Sequence, residues 1–377
     1  PDPESLIQLP WQPEVAWLAG DLWMDGKPVE ASPRVMLRNQ IAKLAKKNMF
    51  LKSGVECEYF LISPDGNSIA DNKDVADKPC YDQSALMRQY DLISEICDNM
   101  IKLGWGPYQN DHEDANGQYE VNFVYSDALT TADRYTFFKM MTSQYAQRYG
   151  AIATHMAKPF SDRTGSGGHV HFHVEEAASG KNLFLDEEDE QGLGLSEFAY
   201  YFIGGIFAHA PALCAINSPT VNCYKRLQIG EGLLGTQSGF TWTPAFISYG
   251  DNNRTQMLRT AGPGHLEDRT VSAACNPYLA FAAYVSAGLD GVRNKIDPGK
   301  ANLGNMYELG LDEIKRRGIR MLPQSLNEAV SELRRDVVVQ EALGPIYDEF
   351  VDIKEAEWNE YHKQVTQWEI DRYLTMF

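Results

Sequence analysis

The chain has 377 residues, 44% of them hydrophobic and 23% charged, enough for a large buried core in one large or two moderate domains. A formal net charge of −18 and an isoelectric point of about 4.9 argue against nucleic acid as a main partner. No apolar run reaches the roughly 18 residues of a membrane span, so no membrane partner is expected.

Residues 1–30 read as strands and turns, with Trp11, Trp17 and Trp23 as apolar anchors and Asp25-Gly26 as a hairpin turn. The chain opens Pro1-Asp2-Pro3 without a methionine, the pattern of a trimmed N-terminus, and three strand-sized pieces make a poor independent domain. Pro33 opens a helix whose apolar positions Val35, Leu37, Ile41 and Leu44 share one face. A strand is expected over 54–62, an amphipathic helix over 84–103, a strand over 119–125 and a helix over 130–148. Strands over 152–156 and 169–174 follow, then apolar helices over 196–217 and 277–293. The stretch 312–377 is helix-rich and ends in one helix with Trp358, Tyr361, Val365 and Trp368 along one face. Strands and helices alternate irregularly, which points to α+β. Cys57, Cys80, Cys97, Cys214, Cys223 and Cys275 form no CxxC pair and read as reduced thiols of a cytoplasmic protein.

Three motifs carry chemistry. Arg163-Thr164-Gly165-Ser166-Gly167-Gly168-His169-Val170-His171-Phe172-His173 is a glycine-rich turn running into a strand that sets three histidines on one face. Taken alone, it fits a zinc site or a buried polar patch as well as a phosphate site. Glu56 and Glu58 flank Cys57 on a strand, so two like charges share a face; a bound cation would relieve them, and a solvated sheet face fits too. In Asp111-His112-Glu113-Asp114-Ala115-Asn116-Gly117-Gln118-Tyr119-Glu120, the turn at Asn116-Gly117 sets Glu113 opposite Glu120 on adjoining strands. An oxygen-rich set of this kind suits Mg²⁺ or Mn²⁺ rather than zinc, and an ordinary acidic hairpin is the plainer reading. Arg226, Arg254, Arg259 and Arg269 supply guanidinium forks for carboxylates or phosphates, or for surface ion pairs.

The order of these motifs resembles the glutamine synthetase family. The matching pieces are Gly54-Val55-Glu56-Cys57-Glu58, Gly117-Gln118-Tyr119-Glu120, Lys158-Pro159-Phe160 with Gly165 to His171, and Tyr224-Lys225-Arg226. Asn253-Arg254, Leu266-Glu267-Asp268-Arg269 and Asn276-Pro277-Tyr278-Leu279 complete the set. Thr241-Trp242-Thr243-Pro244 and Ser272-Ala273-Ala274-Cys275 look most like the branch of type III-like glutamine synthetases and γ-glutamylmethylamide synthetases. The resemblance implies a curved antiparallel sheet flanked by helices over 31–377 with a helical C-terminus, and a remnant of an N-terminal β-grasp domain over 1–30. It implies that Glu58, Glu113 and Glu120 bind one divalent cation and that Glu56, His169 and Glu267 bind a second. Arg226 and Arg269 would hold the glutamate carboxylates, with Glu58 and Gly165 also lining the amino-acid site. His171 and His173 would lie by ATP, and Arg254 and Arg259 near the transferred phosphoryl group; Arg254, Arg259 and Glu267 are the catalytic set. Partners would be glutamate, ATP, and ammonia or a small amine, in a ring-shaped homo-oligomer, a dodecamer by analogy, with sites between subunits.

Three departures qualify it. The family's N-terminal domain, which lends an ammonium-binding aspartate to the neighbouring subunit, is mostly missing. Where many members carry a flap glutamate two residues before a proline, this chain has Trp242, and the nearest flap acid is Glu231 in a longer flap over 230–243. His265 stands where members often have arginine. An indole face binds a cation and would favour an alkylammonium; simple packing of the flap is the alternative. The reaction expected is ATP-dependent amidation of glutamate. A non-catalytic structural or regulatory relative, and a guanidino kinase, are the competing readings. Asn305-Met306-Tyr307-Glu308-Leu309 resembles a loop adenylylated in some bacterial members.

Overall fold

The computed structural model describes residues 1–227 and 242–377. The flap acid Glu231 and most of the flap fall outside the described residues. The N-terminal stretch forms two small antiparallel ribbons, β1 (Ile7–Gln8) with β2 (Ala16–Trp17), and β3 (Trp23–Met24) with β4 (Lys27–Pro28), the second turning at Asp25-Gly26 as expected. Trp11 and Trp17 pack on Phe137 of the main body, whereas Trp23 stays 63% exposed. Asp2 and Asp21 of this stretch clamp Arg34, which also pairs with Asp133.

Helix α1 (Pro33–Ala45) leads to β5 (Met49–Val55) and β6 (Cys57–Ile62). The strand expected over 54–62 is therefore two, broken at Glu56, where the chain crosses from one sheet to another. Helices α2 (Gln83–Arg88) and α3 (Tyr90–Lys102) replace the single helix expected over 84–103; Asp82 caps the first, and Leu92, Ile93, Ile96 and Met100 bury the inner face of the second. Strands β7 (Pro107–His112), β8 (Gln118–Phe123) and β9 (Ser126–Asp127), helix α4 (Ala128–Arg148), and strands β10 (Ile152–Thr154) and β11 (Val170–Glu176) follow. Helix α5 (Glu197–Asn217), strands β12 (Tyr249–Gly250), β13 (Leu258–Gly262) and β14 (His265–Asp268), and helix α6 (Pro277–Asn294) complete the centre. Helices α7 (Leu311–Arg316), α8 (Leu326–Leu333), α9 (Val337–Leu343), α10 (Tyr347–His362) and α11 (Gln367–Tyr373) close the chain. The terminal helix expected to carry Trp358 through Trp368 is thus two helices. Thr366 starts the second with a reciprocal capping box to Glu369.

The strands form a six-stranded sheet in the order β12-β13-β14-β11-β5-β9 and a four-stranded sheet in the order β10-β6-β8-β7. Pairing is antiparallel except between β12 and β13. The α+β class holds. The two sheets join at Glu56, whose amide donates to the His169 carbonyl at 3.0 Å. Behind the larger sheet, Phe172 stacks on Tyr284 of α6 and meets Phe184 and Phe202.

Helix α5 is strongly apolar. By length and composition it is long and apolar enough to cross a membrane, although no uninterrupted apolar run of that length exists; 67% of the window is buried, much of it against α6. Pro211 sits inside it and cannot donate to the Phe207 carbonyl; the Arg320 guanidinium donates there instead.

Candidate active site

The junction of the two sheets gathers the carboxylates. Because the chain changes sheet at Glu56, the side chains of Glu56 and Glu58 reach the same cavity from the strand end. The pairing of β6 with β8 sets Glu58 beside Glu120, and the pairing of β7 with β8 sets Asp111 beside Glu120. Glu113 lies just past the end of β7 and not across a strand pair from Glu120; its amide donates to the Gln118 carbonyl. A buried aspartate shapes this turn. Asp74 accepts from the Gly117 amide at 2.7 Å and from Asn116 at 2.8 Å, and bonds the His112 imidazole at 2.7 Å.

On the facing strand, the glycines of the first motif have steric reasons. A Cβ at Gly165 would lie 2.3 Å from the Ala157 carbonyl oxygen and 3.0 Å from Arg226 Cγ; one at Gly167 would lie 2.4 Å from His169 Nε2. The Gly167 amide donates to Glu58 at 2.8 Å, and the Gln118 side chain donates to Glu58, to the Gly165 carbonyl and to Ser166. His169 and His171 each bond Glu56 at 2.8 Å, and His171 bonds His265 at 2.9 Å. His173 stands apart, bonded to Glu175 and edge-on to Tyr125.

Three groups each bring ligand atoms within 4.8 Å of one another: Glu56 with His169 and Glu267; Glu56 with Glu58 and Glu120; Asp111 with Glu113 and Glu120. The second expected triad therefore meets as one group. Glu58 and Glu113 meet through Glu120, and Asp111, given no role from the sequence, joins them.

The electrostatics are those of charges crowded without enough counter-charge. Burial, then Glu58 and Glu56, push the Glu113 carboxyl up to about 8. Burial, Glu56 and Glu113 raise Glu120 well above the usual carboxylate range. Burial would raise Glu56 too, but its bonds to His169 and His171 hold it low. Burial and Arg269 depress His169, and burial with His171 brings His265 down to about 4. The donor set is rich in carboxylate oxygen, with one imidazole, and Glu267 Oε2 is buried without a hydrogen bond. These residues fit hard divalent cations.

The arginines frame the same space. Arg269 donates to Glu267 at 2.5 Å and to the backbone carbonyls of Arg254 and Trp242. Arg259 Nε lies 2.7 Å from Glu267 Oε2, close but misaligned for a hydrogen bond. Arg226, 2% exposed, donates to the carbonyls of Thr270 and Arg269 and to His169; among the described residues it has no salt bridge to a carboxylate. Its buried charge is therefore offset only by dipoles and by more distant acids.

Two adjoining cavities share Glu56, Tyr81, Glu113, Glu120 and Arg254 in their walls. One, of about 610 Å³, runs past His171, His173, Arg259 and His265 to Tyr108 and Tyr125. The other, of about 290 Å³, is lined by Glu58, Gly165, His169, Arg226, Trp242 and Arg269. Glu267 is fully buried beneath them and lines neither. Sequence reasoning passed over Tyr81, which faces both cavities from a left-handed backbone (φ 63°). Nothing in its neighbourhood marks that conformation in advance. Trp242 also adopts positive φ, at 50°.

The glutamine synthetase catalytic domain model matches residues 30–373. The chain belongs to the glutamine synthetase family. It is 49% identical over 370 residues to a glutamine synthetase of Rhizobium meliloti (strain 1021), spanning 98% of this chain and 83% of that protein. It is 43% identical over 378 residues to a glutamate–methylamine ligase of Methyloversatilis universalis, spanning 100% of this chain and 84% of that one. A solved structure of a GmaS/ADP complex superimposes with a TM-score of 0.93 at 50% identity, covering 99% of this chain and 84% of that chain. Structure without ligand from the same enzyme type, apo GmaS, gives a TM-score of 0.90 at 48% identity, covering 100% of this chain and 84% of the other. Within the family, the chain thus resembles both relatives named glutamine synthetase and one named glutamate–methylamine ligase.

Proposed function

We propose that the chain is an ATP-dependent carbon–nitrogen ligase that phosphorylates the γ-carboxylate of glutamate and amidates it with ammonia or a small alkylamine such as methylamine. What carries this reading is the gathering of seven metal-type ligands and of Arg226, Arg254, Arg259 and Arg269 in and around two adjoining cavities, one sized for a nucleotide and one for an amino acid. Relatives named as ligases of both amine types support it.

In this reading the larger cavity takes ATP, beside His171, His173 and Arg259, and the smaller takes glutamate. Glu58, Glu113 and Glu120, and separately Glu56, His169 and Glu267, would hold two or more Mg²⁺ or Mn²⁺ ions. When bound, these ions supply positive charge to the phosphates and the transferring group. Arg226 pairs with a glutamate carboxylate, and Gly165 leaves room for the amino acid beside it. Arg269, anchored by Glu267, sits on the same wall. A γ-carboxylate oxygen attacks the terminal phosphorus while the bond to ADP breaks, giving an acyl phosphate; Arg254 and Arg259 spread the charge of that transfer. The amine then attacks the acyl carbon, phosphate leaves, and a proton is lost from nitrogen. The walls of the joined cavities keep water from competing for the acyl phosphate.

Trp242 replaces an acid that would attract ammonium, and its place in the wall of the smaller cavity supports a choice in favour of alkylamines. We further read residues 1–30 as the end of an N-terminal β-grasp domain, 31–377 as the catalytic domain, the working form as a ring with sites between subunits, and the compartment as the cytoplasm. The test of the ligase reading is phosphate release from ATP with glutamate, Mg²⁺ and either ammonia or methylamine. Amine-dependent release with formation of the matching amide is expected; no release with any amine would sink it.

A further inference from the structure

Helix α10 (Tyr347–His362) belongs to neither sheet and lines neither of the two cavities. It nevertheless touches the segment that delivers Arg226. Glu357 Oε1 accepts from the Val221 amide at 2.9 Å, and its other carboxylate oxygen pairs with Lys354 of the same helix at 3.0 Å. One turn on, the Tyr361 ring centre lies 5.2 Å from the Lys225 ammonium. Trp358, next to Glu357, is half-buried against the core and holds the helix in place. Lys225 is the one member of the Tyr224-Lys225-Arg226 motif left exposed, and it faces neither cavity. Its contact with α10 gives it a place in the fold.

The segment 220–226 cannot orient itself. After α5 ends at Asn217, its backbone bonds are local ones: Cys223 donates to Thr220, Lys225 to Asn222 and Arg226 to Cys223. Its orientation against the body therefore depends on side chains. Three ties supply it. The Asn222 amide group accepts from the Lys158 backbone at 2.8 Å and donates to the Lys158 carbonyl at 3.0 Å. The Tyr224 hydroxyl donates to the Cys214 carbonyl at 3.1 Å. Glu357 is the third, and of the three it alone is a charge-assisted bond, the stronger kind. Arg226 has little slack to absorb a shift. Its Cγ would stand 3.0 Å from a Cβ on Gly165, and its fork is spread over two backbone carbonyls and His169. A backbone displaced at 221–225 would turn the fork away from its target, and small misplacements of a binding group are costly.

We propose that Glu357 is a positioning residue for glutamate: through the Val221 amide, and with Tyr361 steadying Lys225, α10 fixes the backbone from which Arg226 reaches the smaller cavity. This role rests on that cavity being the glutamate site. Glutamate is titrated calorimetrically, with Mg²⁺ and ADP present, into the full chain as wild type, Glu357→Ala, Glu357→Gln, Tyr361→Leu, Arg226→Lys and the double variant Glu357→Ala with Arg226→Lys. The KM values for glutamate and for ATP are measured on the same proteins. Glu357→Ala should weaken glutamate binding and raise its KM about fivefold while the KM for ATP stays within about twofold. Glu357→Gln keeps an oxygen that accepts from Val221 and should recover most of the loss. Tyr361 lies at the surface, so Tyr361→Leu keeps the fold even where Glu357→Ala does not, and it should weaken glutamate binding about threefold. In the double variant, Glu357→Ala should add less than about twofold to the loss from Arg226→Lys, because both act through one contact. Wild-type glutamate affinity in Glu357→Ala and Tyr361→Leu, an equal rise in both KM values, or full additivity in the double variant would overturn the role. The ligase reading fails separately. If the wild type releases no phosphate but binds glutamate more tightly than Glu357→Ala, the positioning role stands and the ligase falls. Amine-dependent release with unaltered glutamate affinity in the variants is the reverse, and no glutamate binding to the wild type overturns both.

Discussion

Glu120 shows most directly why the carboxylates need something the polypeptide does not supply. It is buried beside Glu58, Glu113 and Asp111, and among the described residues only the Asn122 amide hydrogen-bonds its carboxylate. Glu120→Ala should abolish turnover. It should not lower the melting temperature without metal, because it removes one of several repelling charges. It should shrink the stabilisation that Mg²⁺ brings, since a ligand stabilises in proportion to its affinity for the folded state. A thermal-shift series with and without Mg²⁺ checks both; a large drop in the metal-free protein would mark Glu120 as structural. Arg226 is the complementary case, a buried cation with no carboxylate in salt-bridge contact among the described residues. A charge-assisted bond contributes roughly 1.5–3 kcal/mol and lysine cannot copy the fork, so Arg226→Lys should raise the KM for glutamate about 10- to 100-fold. An unchanged KM removes Arg226 from the glutamate site. For Trp242, an indole contributes about 0.5–2 kcal/mol to a cation, so Trp242→Glu should move the kcat/KM ratio of methylamine to ammonia down by about tenfold. A ratio that stays put in the variant would separate Trp242 from amine choice.

At the level of elements, most strands and helices were legible from periodicity and the breaks were not. The Glu56 break between β5 and β6 leaves no mark, since Val55, Cys57 and Tyr59 read as one buried strand; only the pairing of each half with a different sheet divides them. Gln89 and the 363–366 link interrupt helical patterns without glycine or proline. The motif residues Glu56, Glu58, Glu120 and His169 were legible from residue type and motif order; strand alternation does not place Glu56 or His169, which lie just outside β6 and β11. Asp111, Tyr81 and Asp74 were missed because their roles depend on register, backbone strain and a contact from a distant loop. His209 is a further case: it joins three helices, bonding Asp336, which caps α9, at 2.7 Å, and Asp290 of α6 at 3.3 Å. Burial alone would lower the imidazole, but Asp336 and Asp290 outweigh it and raise it. Arg320, Arg335 and Glu332 line the same surface hollow. A raised folded-state value means the stabilisation is complete below the unfolded value of about 6.5 and is lost as pH climbs through the folded one. The melting-temperature gap between wild type and His209→Gln should therefore be widest near pH 6 and narrow by pH 8. A gap that grows with pH would refute the pairing.

Over the whole molecule, two groups of exposed apolar side chains lie near the chain ends. The β3–β4 ribbon leaves Leu22, Trp23 and Met24 more than 60% exposed, and α11 with the last residues leaves Trp368, Leu374 and Phe377 in water. Two-stranded ribbons are marginal alone, and a bulky aromatic at a ribbon tip stays in water only at a cost of burial energy forgone. The same stretch is tied firmly to the body through Asp2, Asp21 and Arg34, so it does not fold back to cover itself. In the proposed ring, both patches would be contacts between subunits. Light scattering of the full-length protein at micromolar concentration should give a mass many times the 42.4 kDa of one chain. Trp23→Asp should shift the distribution toward smaller species and lower kcat along with it, because a site built between subunits loses part of its wall when they separate. Its far-ultraviolet circular dichroism should stay that of the wild type, since Trp23 contributes little to the core. A wild-type mass near one chain would refute the ring. Undiminished turnover in a dissociated Trp23→Asp protein would show that each subunit carries a complete site.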